Sequence, residues 1–168
     1  SRCTAGQTLD TLSGLGNGFD VAACGKTTLL CGGGIGTAPL YGLARRLLVS
    51  GKTPVALLGF NTSDDIFYEK EFQALGVQTI LATADGSRGT RGFVIDALPE
   101  RFDTVCACGP MPMLRALCAK TDKPGQISLE ARMGCGFGAC MGCTIDTVNG
   151  PKRVCREGPV FGREEIKW

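Results

Sequence analysis

TTLLCGGGIGTAPLYGLARRLLVSG, residues 27–51, runs from a short apolar stretch through a glycine cluster into a segment of helical periodicity. Leu40, Leu43, Ala44, Leu47 and Leu48 recur at the spacing of one helix face, Pro39 suits a first helical position, and Gly51 stops the pattern. The stretch therefore predicts strand, glycine turn, helix. Working outward, PVALLGF at 54–60 has the pattern of a buried strand, and 64–75 predicts a second helix. A third strand follows at 77–82, then the loop TADGSRGTRG and a short helix-like segment ending at Ala97. DTVCAC at 103–108 predicts a fourth strand, which runs through Gly109 and Pro110 into a helix marked by Met111, Leu114, Leu117 and Cys118. QISLEA at 126–131 completes a fifth strand. Strands alternating with helices at this spacing predict a doubly wound α/β domain over 25–131, with a five-stranded parallel sheet covered on both faces. From residue 132 the pattern gives way to glycines, cysteines and a polar hairpin around Asn149 and Gly150, a small separate module over 132–168.

Composition bounds what such a chain does. Its 168 residues suffice for one full domain plus an appendage, and 43% hydrophobic with 20% charged residues is ordinary globular usage. Apolar runs such as VALLGF are far too short to cross a bilayer. No basic segment followed by an apolar one opens the chain, so a cytoplasmic location is expected. A net charge of +2 with scattered Lys and Arg gives no electrostatic case for nucleic acid or a membrane surface. There is no His at all, which removes His-based acid–base chemistry, Cys/His zinc fingers and Rieske-type ligation. Ten cysteines in a chain of the reducing cytosol argue against a disulfide framework. Six of them (Cys3, Cys24, Cys31, Cys106, Cys108, Cys118) are dispersed and read as small buried hydrophobes, Cys108 apart.

Two places carry chemistry. In open α/β sheets ligands bind beyond the carboxyl ends of the strands, where the glycine cluster sits. Gly32, Gly33, Gly34 and Gly36 let the backbone approach a pyrophosphate, and the helix opening near Thr37 offers free N–H groups and a positive dipole end. Asp85, Gly86 and Ser87, and Cys108, Gly109 and Pro110, fall at the ends of two further strands, so three loops are expected to converge on one crevice. The Lys of a phosphate-loop signature is missing, so nucleotide hydrolysis is not supported. The segment after the second strand, Phe60-Asn61-Thr62-Ser63-Asp64-Asp65, holds no Arg to meet a 2′-phosphate, which favours NAD over NADP.

The second place is the cysteine run Cys135-x4-Cys140-x2-Cys143-x11-Cys155. C-x4-C-x2-C with a distant fourth Cys is the plant-type spacing for a [2Fe–2S] cluster, and Gly134, Gly136, Gly138, Ala139 and Gly142 leave room for the backbone to wrap it. Zinc, which favours paired C-x2-C knuckles, and unligated thiols are the alternatives. Nicotinamide exchanges a hydride whereas such a cluster takes electrons singly, so a protein holding both needs a flavin between them. No flavin-binding segment is visible once the α/β domain and the cysteine module are assigned.

Taken together, these residues resemble the electron-transfer subunits of the NAD-linked dihydroorotate dehydrogenases, a branch of the ferredoxin reductase superfamily. LGNGF at 15–19 resembles the hinge that ends the family's flavin barrel. GGGIGTAPLYGLA, TADGSRGTRGFV and CGPMPML resemble its nicotinamide half, and MGCGFGACMGC with RVCREGPVF its cluster module and C-terminal end. The resemblance implies a ferredoxin-reductase-like NAD domain and a [2Fe–2S] cluster on Cys135, Cys140, Cys143 and Cys155. It places Gly32, Gly33, Gly34, Gly36 and Thr37 at the pyrophosphate, and Asp85, Gly86 and Ser87 on the ribose and nicotinamide side. Cys108, in the turn with Gly109, Pro110 and Met111, would lie beside the nicotinamide ring, and Gly16, Asn17 and Gly18 against flavin.

Further, it implies an FMN-containing catalytic partner that oxidises dihydroorotate in pyrimidine synthesis, electrons passing through the cluster and FAD to NAD in a heterotetramer. The family's flavin barrel, with its Arg-x-Tyr-Ser/Thr signature, would precede residue 1. Residues 1–24 are thus expected to be the end of a truncated flavin domain and hinge, and the chain to be inactive alone. A subunit of an NADH-dependent ferredoxin or sulfide reductase shares fold and spacing, though RVCREGPVF favours the first reading. A non-catalytic zinc-stabilised binding module is the alternative from another class.

Overall fold

The computed structural model describes residues 3–168. Its centre is the strand β1 (Thr27–Gly33), flanked by β2 (Thr53–Phe60) on one side and β5 (Thr104–Cys108) on the other, all parallel. Beyond β2 lie β3 (Gln78–Thr83) and the two-residue β4 (Thr90–Arg91), and beyond β5 lies β6 (Gly125–Ser128), again parallel. A last strand, β9 (Val160–Gly162), closes the far edge antiparallel to β6, so the order is β4-β3-β2-β1-β5-β6-β9. The five expected strands form the parallel core in this seven-stranded sheet, and two short edge strands extend it.

Period-2 alternation explains why the sheet is buried on both faces. Leu29, Cys31, Val55, Leu57, Val105 and Ala107 point to one side, where they meet Leu114 and Leu117 of α3 (Met111–Lys120). Leu30, Ala56, Leu58 and Cys106 point to the other, where Leu40, Leu43, Ala44 and Leu47 of α1 (Thr37–Val49) cover them. Each fully buried leucine contributes about 1.5–3 kcal/mol of transfer free energy, which is why the apolar stripes override the weak intrinsic preference of any one segment. Helix α1 ends where expected: the Gly51 N–H bonds Leu48 O at 2.9 Å, and Gly51 takes φ +71°, open to glycine without strain.

Three expectations are corrected in detail. The helix predicted over 64–75 is a tight turn (Ser63–Asp65) followed by the short α2 (Glu69–Ala74). Asp65 draws the chain into that turn by accepting the Thr62 N–H and hydroxyl, each at 3.1 Å. Tyr68 then sits at φ +63°, held by stacking on Tyr41 with ring centroids 5.1 Å apart, while Phe67 meets Phe60 edge-on. Aromatic packing overrides helical periodicity here. The helix-like segment ending at Ala97 is a single 3-10 turn at Val94–Asp96, and the fifth strand stops at Ser128 rather than 131.

The C-terminal stretch forms a two-stranded hairpin of its own and adds one strand to the edge of the main sheet. The polar hairpin forms as β7 (Thr144–Thr147) and β8 (Gly150–Arg153), and β9 brings Phe161 opposite Ile127. Cys143, Val154, Cys155, Phe161 and Ile166 share one buried cluster with Leu114, Leu117 and Ile127. At the other end of the chain Asn17 bridges to Pro159: its N–H bonds Gly158 O at 2.5 Å, and its side-chain amide bonds Glu157 O at 3.0 Å. Among the described residues no helix is long and apolar enough to cross a membrane.

Candidate cofactor sites

A cavity of about 580 Å³ opens at the carboxyl ends of β1 and β2. Gly33, Gly34 and Ile35 form one wall, Gly59, Phe60 and Asn61 a second, and Pro110 and Met113 a third. The glycines of the turn do two different jobs. Gly34 has φ +51° and nothing within 4 Å of where a Cβ would stand, so its backbone faces open space. At Gly36, by contrast, a Cβ would run into the Cys108 carbonyl and stand 2.7 Å from Gly109 N. Gly109, at φ +149°, also lies close to Gly33, with 3.0 Å from its Cβ position to Gly33 N. Bare backbone on both sides is what lets the β1 and β5 turns touch.

The turn also leaves a hydroxyl without a protein partner: Thr37 Oγ1 is fully buried at the mouth of α1 and makes no hydrogen bond. Glycine cradle, open helix N-terminus and orphaned hydroxyl fit the pyrophosphate of a dinucleotide. Of the residues singled out in the sequence, Gly33, Gly34 and Pro110 line the cavity, while Gly32, Gly36, Thr37, Gly109 and Met111 build the turns around it. Cys108 lies buried behind Gly36, and burial raises its thiol pKa, so the group stays uncharged. Asp85, Gly86 and Ser87 stand at the same sheet edge but do not line the cavity. Asp85 accepts the Ser87 hydroxyl at 2.6 Å and Ser87 N–H at 2.9 Å, which lowers its pKa, and Ser87 Oγ in turn accepts the Ser63 N–H at 2.7 Å. That loop braces the turn after β2 instead. Phe93, Val94 and Met113 also line the cavity; the stretches TADGSRGTRGFV and CGPMPML contain them without singling them out.

The four cysteines of the C-terminal run come together in two pairs. Cys135 and Cys140 lie near the surface: the Cys140 and Ala139 N–H groups point at Cys135 Sγ, 3.4 and 3.2 Å away. These backbone donors, Cys140 foremost, lower the Cys135 pKa to about 6, leaving a thiolate ready to ligate at neutral pH. Cys143 and Cys155 form the second, buried pair, with Cys155 N–H bonding Cys143 Sγ at 3.4 Å. That bond lowers the Cys143 pKa, while its own side-chain bond to Cys143 raises Cys155. Positive φ at Gly136, Gly138 and Met141 curls the backbone so that N–H groups face inward. Among the described residues no three His, Cys, Asp or Glu side chains stand close enough together to hold one metal ion. An all-thiolate set arranged two and two, under backbone N–H donors, fits the two irons of a [2Fe–2S] cluster. Of the six other cysteines only Cys3 is exposed, against the expectation of burial, and burial pushes the Cys31 thiol up to about 12.

Residues 29–119 match the family described as the oxidoreductase NAD-binding domain. The chain belongs to that family. Residues 130–167 match the iron–sulfur cluster binding domain of dihydroorotate dehydrogenase B. The chain is 49% identical over 170 residues to the electron transfer subunit of dihydroorotate dehydrogenase B (NAD(+)) from Geobacillus sp. (strain WCH70), and 48% identical to that of Bacillus pumilus (strain SAFR-032). Both alignments cover 96% of this chain and 66% of the relative, so the chain spans about two thirds of the length of the curated relatives it matches. Among solved structures it is similar to an NADH-dependent reduced ferredoxin-NADP oxidoreductase, at 33% identity and a TM-score of 0.84 over 95% of this chain and 60% of that one. The resemblance drawn from the cysteine spacing and the glycine turn is borne out by these relatives.

Proposed function

We propose that this chain carries electrons between a [2Fe–2S] cluster on Cys135, Cys140, Cys143 and Cys155 and an NAD held in the glycine-walled cavity, as part of an NAD-linked dihydroorotate dehydrogenase. The observation that carries the reading is the joining of the two sites in one fold: β9, six residues past Cys155 at its centre, pairs with β6, whose parallel neighbour β5 ends in the nicotinamide-side turn. A cluster supplies one-electron transfer, NAD takes a hydride, and FAD between them converts one into the other. In this chain the backbone at Gly33 and Gly34 and the Thr37 hydroxyl bind the dinucleotide phosphates. The turn of Cys108 and Gly109, packed behind Gly36 and Gly33, backs the nicotinamide end with uncharged groups. Residues 15–19, with Gly16, Asn17 and Gly18, lie toward the flavin. Upstream electrons come from an FMN-containing partner that oxidises dihydroorotate, the two subunits forming a heterotetramer in the cytoplasm. Three units divide the work: a hinge segment over 1–24, of which 1 and 2 lie outside the described residues, the NAD unit over 25–131 and the cluster unit over 132–168.

The test is anaerobic preparation with iron, sulfide and flavin counts, followed by EPR after reduction with dithionite. Two irons and two sulfides per chain with a rhombic one-electron signal are expected; zinc without sulfide refutes the reading. Similarity to the ferredoxin-NADP oxidoreductase favours a second reading, a subunit of an NADH-dependent ferredoxin or sulfide reductase. Co-purification with an FMN protein that turns over dihydroorotate, against one that does not, separates the two.

A further inference from the structure

Arg153 lies in β8, two residues before Cys155, and its guanidinium reaches back across the cysteine run. Its Nη1 bonds Gly138 O at 2.7 Å and stands 3.8 Å from Met141 Sδ. Gly138 lies between Cys135 and Cys140, and Met141 between Cys140 and Cys143. One side chain therefore ties both arches of the ligand loop to the strand that delivers the fourth ligand. The guanidinium is itself held in a fork by Glu157. Nε bonds Oε2 at 3.0 Å, Nη2 bonds Oε1, and the Arg153 backbone N–H gives Oε2 a further bond of 2.7 Å. Such bidentate pairing fixes the plane of the guanidinium as well as its position.

Stability alone does not account for this arrangement. Both side chains remain partly in solvent, where an ion pair contributes little to folding. The pair also sets a positive and a negative group beside the cysteine run, since the guanidinium bonds Gly138 O between Cys135 and Cys140 and Arg153 stands two residues before Cys155. A reduced cluster carries one more negative charge than an oxidised one. A nearby cation therefore favours reduction and a nearby carboxylate opposes it. Resting on the cluster reading above, we propose that Arg153 is a positioning residue for the cluster loop and that Arg153 and Glu157 together set the cluster's reduction potential, in opposite directions.

The experiment uses the 168-residue chain and its variants R153Q, R153K, E157Q and R153Q/E157Q. Each is titrated with dithionite under EPR and visible circular dichroism, and its loss of visible absorbance in air is timed. E157Q leaves the guanidinium unopposed and is expected to raise the midpoint. R153Q leaves the carboxylate unopposed and lowers it, with the double variant in between. The expected size is roughly threefold to tenfold in the reduced-to-oxidised ratio at fixed potential, tenfold being about 59 mV for one electron. R153K keeps the charge and loses the fork, so its midpoint stays near the parent's while it bleaches in air roughly threefold faster. If R153Q fails to hold a cluster that R153K retains, positioning is supported directly. Parental midpoints and bleaching throughout, or R153Q and E157Q midpoints moving the same way, overturn the proposal. A parent chain that takes up no iron and sulfide overturns the cluster reading itself, and this proposal with it.

Discussion

Gly36→Ala isolates the contact on which the candidate NAD cavity depends. Gly36 has φ −61°, ordinary for any residue, so the substitution brings no backbone strain. Its whole effect is steric. The added methyl would stand 2.5 Å from the Cys108 carbonyl carbon and 2.7 Å from Gly109 N, both backbone atoms in a turn between β5 and α3. Ordinary carbon contacts begin near 3.5 Å, so the β1 and β5 turns must separate by about 1 Å. Overpacking of this kind costs about 1–3 kcal/mol, which for a chain of this size lowers the melting temperature by roughly 2–12 °C. The same separation spreads Gly33 from Pro110 and Met113 across the cavity, so affinity for NADH is expected to fall by about tenfold or more. Thermal unfolding by circular dichroism and calorimetric titration with NADH check the two consequences, with iron content as a control that the cluster region is untouched. A Gly36→Ala protein that melts and binds NADH as the parent does would refute the argument that the two turns touch through bare backbone.

Replacing Cys140 by Ser, at the surface, is expected to abolish the visible absorbance while leaving the metal-free melting temperature nearly unchanged. Cys143→Ser, in the core beside Val154 and Phe161, loses both the absorbance and several degrees of stability. Asn17→Ala removes the amide bond to Glu157 O, worth about 1 kcal/mol, so amides 15–20 should exchange with solvent several-fold faster while the sheet amides do not change. The depressed Asp85 pKa, caused first by the Ser87 hydroxyl, makes its contribution present above the ordinary carboxylate range. It is lost as pH falls through the lowered folded value. Hydrogen exchange at Ser63 and Ser87 is expected to lose protection in acid, and Asp85→Asn should remove that pH dependence.

The central strands and α1 were legible because each joins a strong apolar period to an unambiguous stop, Gly51 above all. The candidate cysteine ligands stood out because spacing alone restricts which metal group four thiolates can share. What escaped was set by contacts remote in sequence. The helix over 64–75 gave way to Tyr68 stacking on Tyr41, which no local pattern announces. Strand β9 is three residues inside a glycine-rich stretch, and it becomes a strand only because β6 offers Ser128 and Gln126 as partners. The cavity walls at Phe93 and Met113 come from elements far apart in the chain. Asp85 and Ser87, chosen for their strand-end position, turned out to pair with each other, Ser87 Oγ also accepting the Ser63 N–H, because a carboxylate beside a hydroxyl satisfies itself locally first.

The short edge strands have a consequence for how this chain meets others. A sheet of parallel strands this apolar would, with long bare edges, invite any other strand to add on. Here one margin ends in β4, two residues long, and the other in β9, three residues long and followed at once by the turn Arg163–Glu165. Neither terminal strand is long enough to template a further one, but β4 covers only Ala82 and Thr83 of β3, so residues 78–81 keep an outer edge outside the ladder. Main-chain pairing with another protein is thereby confined to that one short stretch among the described strands.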